Sequence, residues 1–212
     1  MNVGVFLSLF ILSLCSCKSD STQRLDITYD KYLSAFDTIC INHFPKSPVV
    51  NNFDITMHTD TSKNDVWLVL SYFNLPDSIY IELANDLLPQ KSIAHYNAND
   101  SCLLFINPFE TLNSINLYTP AAIDTNLIEK LCYRGKYPIP NLFNINQDFY
   151  FSERNANNCY NIYILDVNSN FRSGKYSMQP NSQMPIEWKN GYSKGFALCE
   201  QSNSIVYWAA IW

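Results

Sequence analysis

The chain has 212 residues, with 19 Asp or Glu against 14 Lys or Arg and a formal net charge of −5. That length fits one domain, or two small ones, and is enough for a substantial apolar core. A net acidic chain has no global basic field, which argues against DNA or RNA as the partner.

From Val3 to Leu14 every residue is apolar or small apart from Ser8 and Ser13, and no side-chain charge precedes Lys18. Such a segment is too short to span a bilayer, which takes about 20 residues, and has the layout of a secretory signal peptide. No Lys or Arg precedes it, so only the α-amino group supplies positive charge. Leu14-Cys15-Ser16-Cys17 then resembles the lipobox of bacterial lipoproteins, with an aliphatic residue three before the cysteine and a small one just before it. Cys15 does not fit, because bulky Leu14 would take the small-residue place.

The resemblance implies that residues 1–16 are removed and that Cys17 becomes the lipidated first residue of the mature chain. It places the protein in the bacterial cell envelope, held to the membrane by its lipid. A buried acyl chain contributes about 0.8 kcal/mol per methylene, and two or more chains give stable anchoring. Residues 17–24 carry the lipidated cysteine and a polar tether. Asp20 is similar to the acidic signal that sends some Bacteroidota lipoproteins to the cell surface, so both the surface and the periplasmic side stay open.

Residues 25–212 are expected to form a single α+β domain with a mostly antiparallel sheet. Asp26 to Phe44 carries Leu33, Phe36, Ile39, Cys40 and Phe44 at helical spacing, which predicts an N-terminal amphipathic helix stopped by Pro45. Asn52 to His58 alternates, and Asp65 to Phe73 is β-branched and aromatic; both read as strands. Leu75-Pro76-Asp77-Ser78 then offers a helix start, with Ile79, Leu83 and Leu87 at four-residue steps until Pro89. Ser92 to Tyr96 and Cys102 to Ile106 are expected to pair as a hairpin, and Asp124 to Cys132 to form a short helix. Asn161 to Val167 is a strand, and Gly195 to Glu200 with Ile205 to Trp212 forms a C-terminal β-hairpin. Asn is abundant and Gly is scarce at five, so Asn is expected to take left-handed turn positions.

Five cysteines remain besides Cys15 and Cys17: Cys40, Cys102, Cys132, Cys159 and Cys199. None is in a CxxC pair. Two disulfides and one free thiol are possible in an oxidising compartment, but the apolar neighbours favour cysteine as a small buried hydrophobe. The spacing offers no metal site, and no cofactor motif or catalytic signature occurs. His43 reads as a charge at a helix C-terminus, and His58 and His95 as surface or cross-strand residues. Trp188 and Tyr192, set among turn formers, are the candidate binding aromatics. The leading expectation is a non-enzymatic binding protein with a protein partner; the alternatives are a glycan-binding accessory protein and, after it, a cysteine-dependent enzyme.

Overall fold

The computed structural model describes residues 28–109, 125–143 and 159–212. The leader, Cys17 and the tether lie outside them, as does the predicted start of the first helix. Six antiparallel strands make one sheet in the order β1-β2-β6-β5-β4-β3. They are β1 Asp54–His58, β2 Val66–Tyr72, β3 Ala94–Asn97, β4 Asn161–Asn168, β5 Tyr192–Cys199 and β6 Ser204–Ile211. Three short α-helices have both ends described: α1 Thr38–Ile41, α2 Asp77–Leu87 and α3 Thr125–Ile128. The mixed class and the antiparallel sheet agree with the sequence reading.

The centre of the sheet is buried on both faces. Along β5 and β6 every residue is buried; from Gly195 to Cys199 and from Ile205 to Ile211 the small and apolar residues therefore run consecutively rather than alternating, while Ser193 and Lys194 are buried polar residues of β5. On one face Leu68, Leu70, Phe196, Ile205 and Tyr207 pack with Tyr29, Phe36, Cys40 and the inner stripe of α2. On the other, Ile162, Ala197, Val206 and Trp208 meet Leu103, Ile139, Leu142 and Tyr160. The final residue belongs to the core. Trp212 exchanges backbone hydrogen bonds with Gly191, and its Nε1 donates to the Trp188 carbonyl at 2.6 Å.

The turns use asparagine as expected. Asn64, Asn74, Asn107 and Asn203 adopt positive φ, and Asn203 sits in the turn between β5 and β6. Gly195 is required for a different reason. It lies opposite Trp208, and a Cβ there would come within 2.6 Å of the Trp208 ring and closer still to the Tyr163 carbonyl oxygen. Overpacking of a rigid core costs 1–3 kcal/mol, occasionally more. Gly195→Ala is therefore expected to lower stability by about 3 kcal/mol, read as a lower urea midpoint; an unchanged midpoint would contradict the packing described.

Four expectations differ from the structure. The single helix from Asp26 to Phe44 is interrupted: residues 28–34 are helical, the chain turns at 35–37, and α1 follows. Lys175 Nζ donates to the carbonyls of Ser34 and Phe36, and Ser173 Oγ donates to Asp37 Oδ2. A distant loop thus takes up carbonyls that a continuous helix would have bonded itself. Ile39, placed on the predicted apolar face, is exposed as a result.

The hairpin from Ser92 to Ile106 does not form. β3 is present, but it pairs with β4, Asn97 opposite Asn161. Residues 104–106 instead exchange hydrogen bonds with Ile139, in a bridge between Phe105 and Ile139. The helix predicted to run to Cys132 stops at Ile128, and a 3-10 turn, Leu131–Tyr133, follows it.

The cysteines are the fourth difference. Cys102 pairs with Cys132, and Cys159 with Cys199; among the described residues Cys40 alone is a free thiol, and it is buried. The first bridge ties together two segments that cover the sheet, and beside it Lys136 Nζ meets Asp100 Oδ2 at 2.7 Å. The second bridge staples the start of β4 to the end of β5. Apolar surroundings suit a buried thiol and a buried disulfide equally well.

Candidate functional site

The residues nominated from sequence are drawn into the core. Trp188 is 9% exposed and packs against Trp212 and Tyr137. Tyr192 is on β5 rather than in a loop, is 3% exposed, and packs edge-on to Phe171 while its hydroxyl donates to Asp166 Oδ2. Burial, then the hydrogen bond to Asp166, push this phenol well above its ordinary range. Neither ring offers an open face for a sugar.

Tyr192 belongs to a buried polar group beneath α1. Lys194 Nζ donates to the Ile39 carbonyl at 2.6 Å and to Asn42 Oδ1 at 2.8 Å, and lies 3.6 Å from Asp166 Oδ2. The ammonium sits where the short helix leaves its last carbonyls unbonded. His43 does not serve as a helix-end charge. Its Nε2 lies 3.0 Å from the carbonyls of Gly195 and Trp208, so the ring nitrogen carries a proton and donates to both. The remaining nitrogen, Nδ1, is buried with no hydrogen-bond partner.

Burial, followed by the nearby Lys194 charge, lowers the His43 pKa to about 3. The ring is therefore neutral at physiological pH. Burial pushes the Cys40 thiol up to about 12, which removes its nucleophilic form. This group fixes α1 on the sheet, and its geometry offers no activated nucleophile. Among the described residues no cluster of three or more His, Cys, Asp or Glu is placed to hold a metal.

A better site lies beside α2. A groove of about 490 Å³ separates this helix from the β4 and β5 side of the sheet, within the range of about 300–1,000 Å³ typical of ligand sites. Tyr80, Ile81, Ala84 and Leu88 form the helix wall, and Tyr163 and Leu198 the sheet wall. Asp77, Glu200 and Asn203 close one end, where Asn203 Nδ2 donates to Asp77 Oδ1 at 2.6 Å.

The helix builds its wall because its apolar surface is wider than the core can use. Tyr80, Ala84 and Leu87 are buried, with Ile79 and Leu83 packed beside them. Ile81 and Leu88 lie about a quarter-turn round the helix and remain 56% and 50% exposed. The sheet side carries a row of stacked rings across three strands. His95 on β3 stacks on Tyr163 at 4.5 Å between centroids and 13°, and Tyr163 on Phe196 at 4.8 Å and 16°. The row runs from exposed His95 to buried Phe196, with Tyr163 half-buried at the groove. Burial and then Glu200 raise the pKa of both Tyr80 and Tyr163, so the carboxylate's field reaches both walls.

The sequence pattern marked α2 but assigned it only a core face. Ile81 and Leu88 were legible as apolar residues off that face, the one local signal for the groove. Its sheet wall depends on long-range pairing. No family model, curated protein or solved structure matches the chain.

Proposed function

We propose that this is a membrane-anchored lipoprotein of the bacterial envelope whose folded domain binds a protein partner without catalysing a reaction. The observation that carries this reading is the pair of disulfides in a chain that opens on a leader ending in Leu14-Cys15-Ser16-Cys17. Disulfides persist in compartments reached by secretion, and a lipidated Cys17 would hold the domain there. The binding reading is supported by the groove beside α2, by the net acidic charge, and by the cysteines among the described residues, which are either paired or buried.

The test is the mass of the N-terminal peptide of the mature protein taken from a membrane fraction. A peptide that begins at Cys17 and carries acyl chains is expected. One that begins elsewhere without modification removes the anchor.

A further inference from the structure

We propose that the groove between α2 and the sheet docks a short cationic amphipathic peptide segment of a partner protein. This deepens the binding reading above and rests on it. Three features of the groove select that chemistry.

The first is shape. The 11 residues of α2 give the groove a wall of about 16 Å, open along one side, which suits an elongated segment more than a compact ligand. The second is apolar surface set at intervals. Ile81 and Leu88 stand two helical turns apart on the exposed side, with Ala84 and Leu198 lower in the groove. That spacing accepts apolar side chains repeating along a helix or a strand.

The third is charge. The charged residues lining the groove, Asp77 and Glu200, are both carboxylates, and no Lys or Arg joins them. They stand together at the end where α2 begins and β5 finishes, while Leu88 marks the other end. Asp77 stands in the first turn of α2 and Glu200 opens the 3-10 turn after β5, and both side chains also line the groove. A segment with Lys or Arg at one end and apolar residues along the rest matches this polarity.

The experiment uses the full mature chain in zwitterionic lipid nanodiscs, with empty discs as the blank. A fluorescent amphipathic Lys/Leu peptide of about a dozen residues is titrated beside a Glu/Leu peptide of the same pattern and read by anisotropy. The Lys/Leu peptide is expected to bind at least about tenfold more tightly and to weaken as salt rises. Ile81→Asn with Leu88→Asn, both at exposed positions, is expected to weaken it about tenfold. Glu200→Gln is expected to weaken it about threefold, as befits an exposed charge.

Equal binding of the two peptides, no binding of the Lys/Leu peptide, or variants without effect overturns the proposal. So does a dimer that buries Ile81 and dissociates in the double variant. The N-terminal peptide mass from the same preparation separates the two readings. An acylated chain that ignores the peptide sinks the groove alone, and an unacylated chain that binds it sinks the anchor alone.

Discussion

Reduction of both disulfides is expected to unfold the domain at 37 °C. In the chain-entropy account, a bridge restricts the unfolded chain in proportion to the logarithm of the loop it closes. Cys102–Cys132 closes a separation of 30 residues and Cys159–Cys199 one of 40, which corresponds to about 3.5 and 4 kcal/mol. Their sum, about 7.5 kcal/mol, is comparable with the whole stability of an ordinary domain, about 5–15 kcal/mol. The first bridge also acts at a place the sheet does not support. Cys102–Cys132 holds two covering segments, whose other ties include the Asp100–Lys136 pair and the Ile139 hydrogen bonds.

Urea unfolding with and without a reductant, followed by tryptophan fluorescence, reads the effect directly. The reduced midpoint should fall steeply, and Cys102→Ser with Cys132→Ser should account for about half of the loss. An unchanged midpoint would mean that the thiols contribute only as small buried hydrophobes. It would also withdraw the disulfide support for an oxidising compartment.

How much of this was legible depended on whether a residue's partner was near in sequence. β2, β6 and the second half of β5 announce themselves because burial on both faces demands consecutive apolar residues, and Gln201 to Ser204 is a polar spacer short enough to fix the pairing of β5 with β6; the first half of β5, with Ser193 and Lys194, carries no such signal. β3 was found as a strand but given the wrong partner. Its true neighbour, β4, lies across a stretch that local pattern cannot see, while the polar run Asn97 to Ser101 imitates a hairpin loop.

The break at residues 35–37 has the same origin, since Lys175 and Ser173 act on it from about 140 positions away. Nor do apolar neighbours tell which cysteines pair, and here they favoured the wrong use. Aromatic residues among turn formers suggested an open binding loop. In the fold, Trp188 caps the core beside Trp212, and α2 instead carries exposed apolar side chains, Ile81 and Leu88, that exceed what the core can bury.

Acidification should destabilise the protein well before its carboxylates titrate, and His43 is the main cause. In the unfolded chain a histidine binds a proton at about pH 6.5. In the fold, His43 resists protonation down to about pH 3. A base whose folded pKa is depressed stabilises the fold at pH values above its unfolded pKa. The contribution is lost as pH falls from about 6.5 towards 3, because the unfolded state then binds the extra proton.

Each pH unit of that window costs about 1.4 kcal/mol, so about 2 kcal/mol is lost by pH 5. Ordinary carboxylates are still ionised there, which isolates the imidazole contribution. The structural cause is specific: Nε2 already donates to Gly195 and Trp208, and a second proton on Nδ1 would be buried without an acceptor, with the Lys194 ammonium nearby. His58, also depressed by burial, adds a smaller slope of the same sign.

His43→Gln keeps an amide donor for the two carbonyls and removes the titrating ring. Its urea midpoint should be nearly flat between pH 7 and 5, apart from the His58 part, while the unsubstituted protein declines. If both decline in parallel, the imidazole is reaching solvent when protonated, and α1 is not sealed on the sheet as Lys194 and His43 place it.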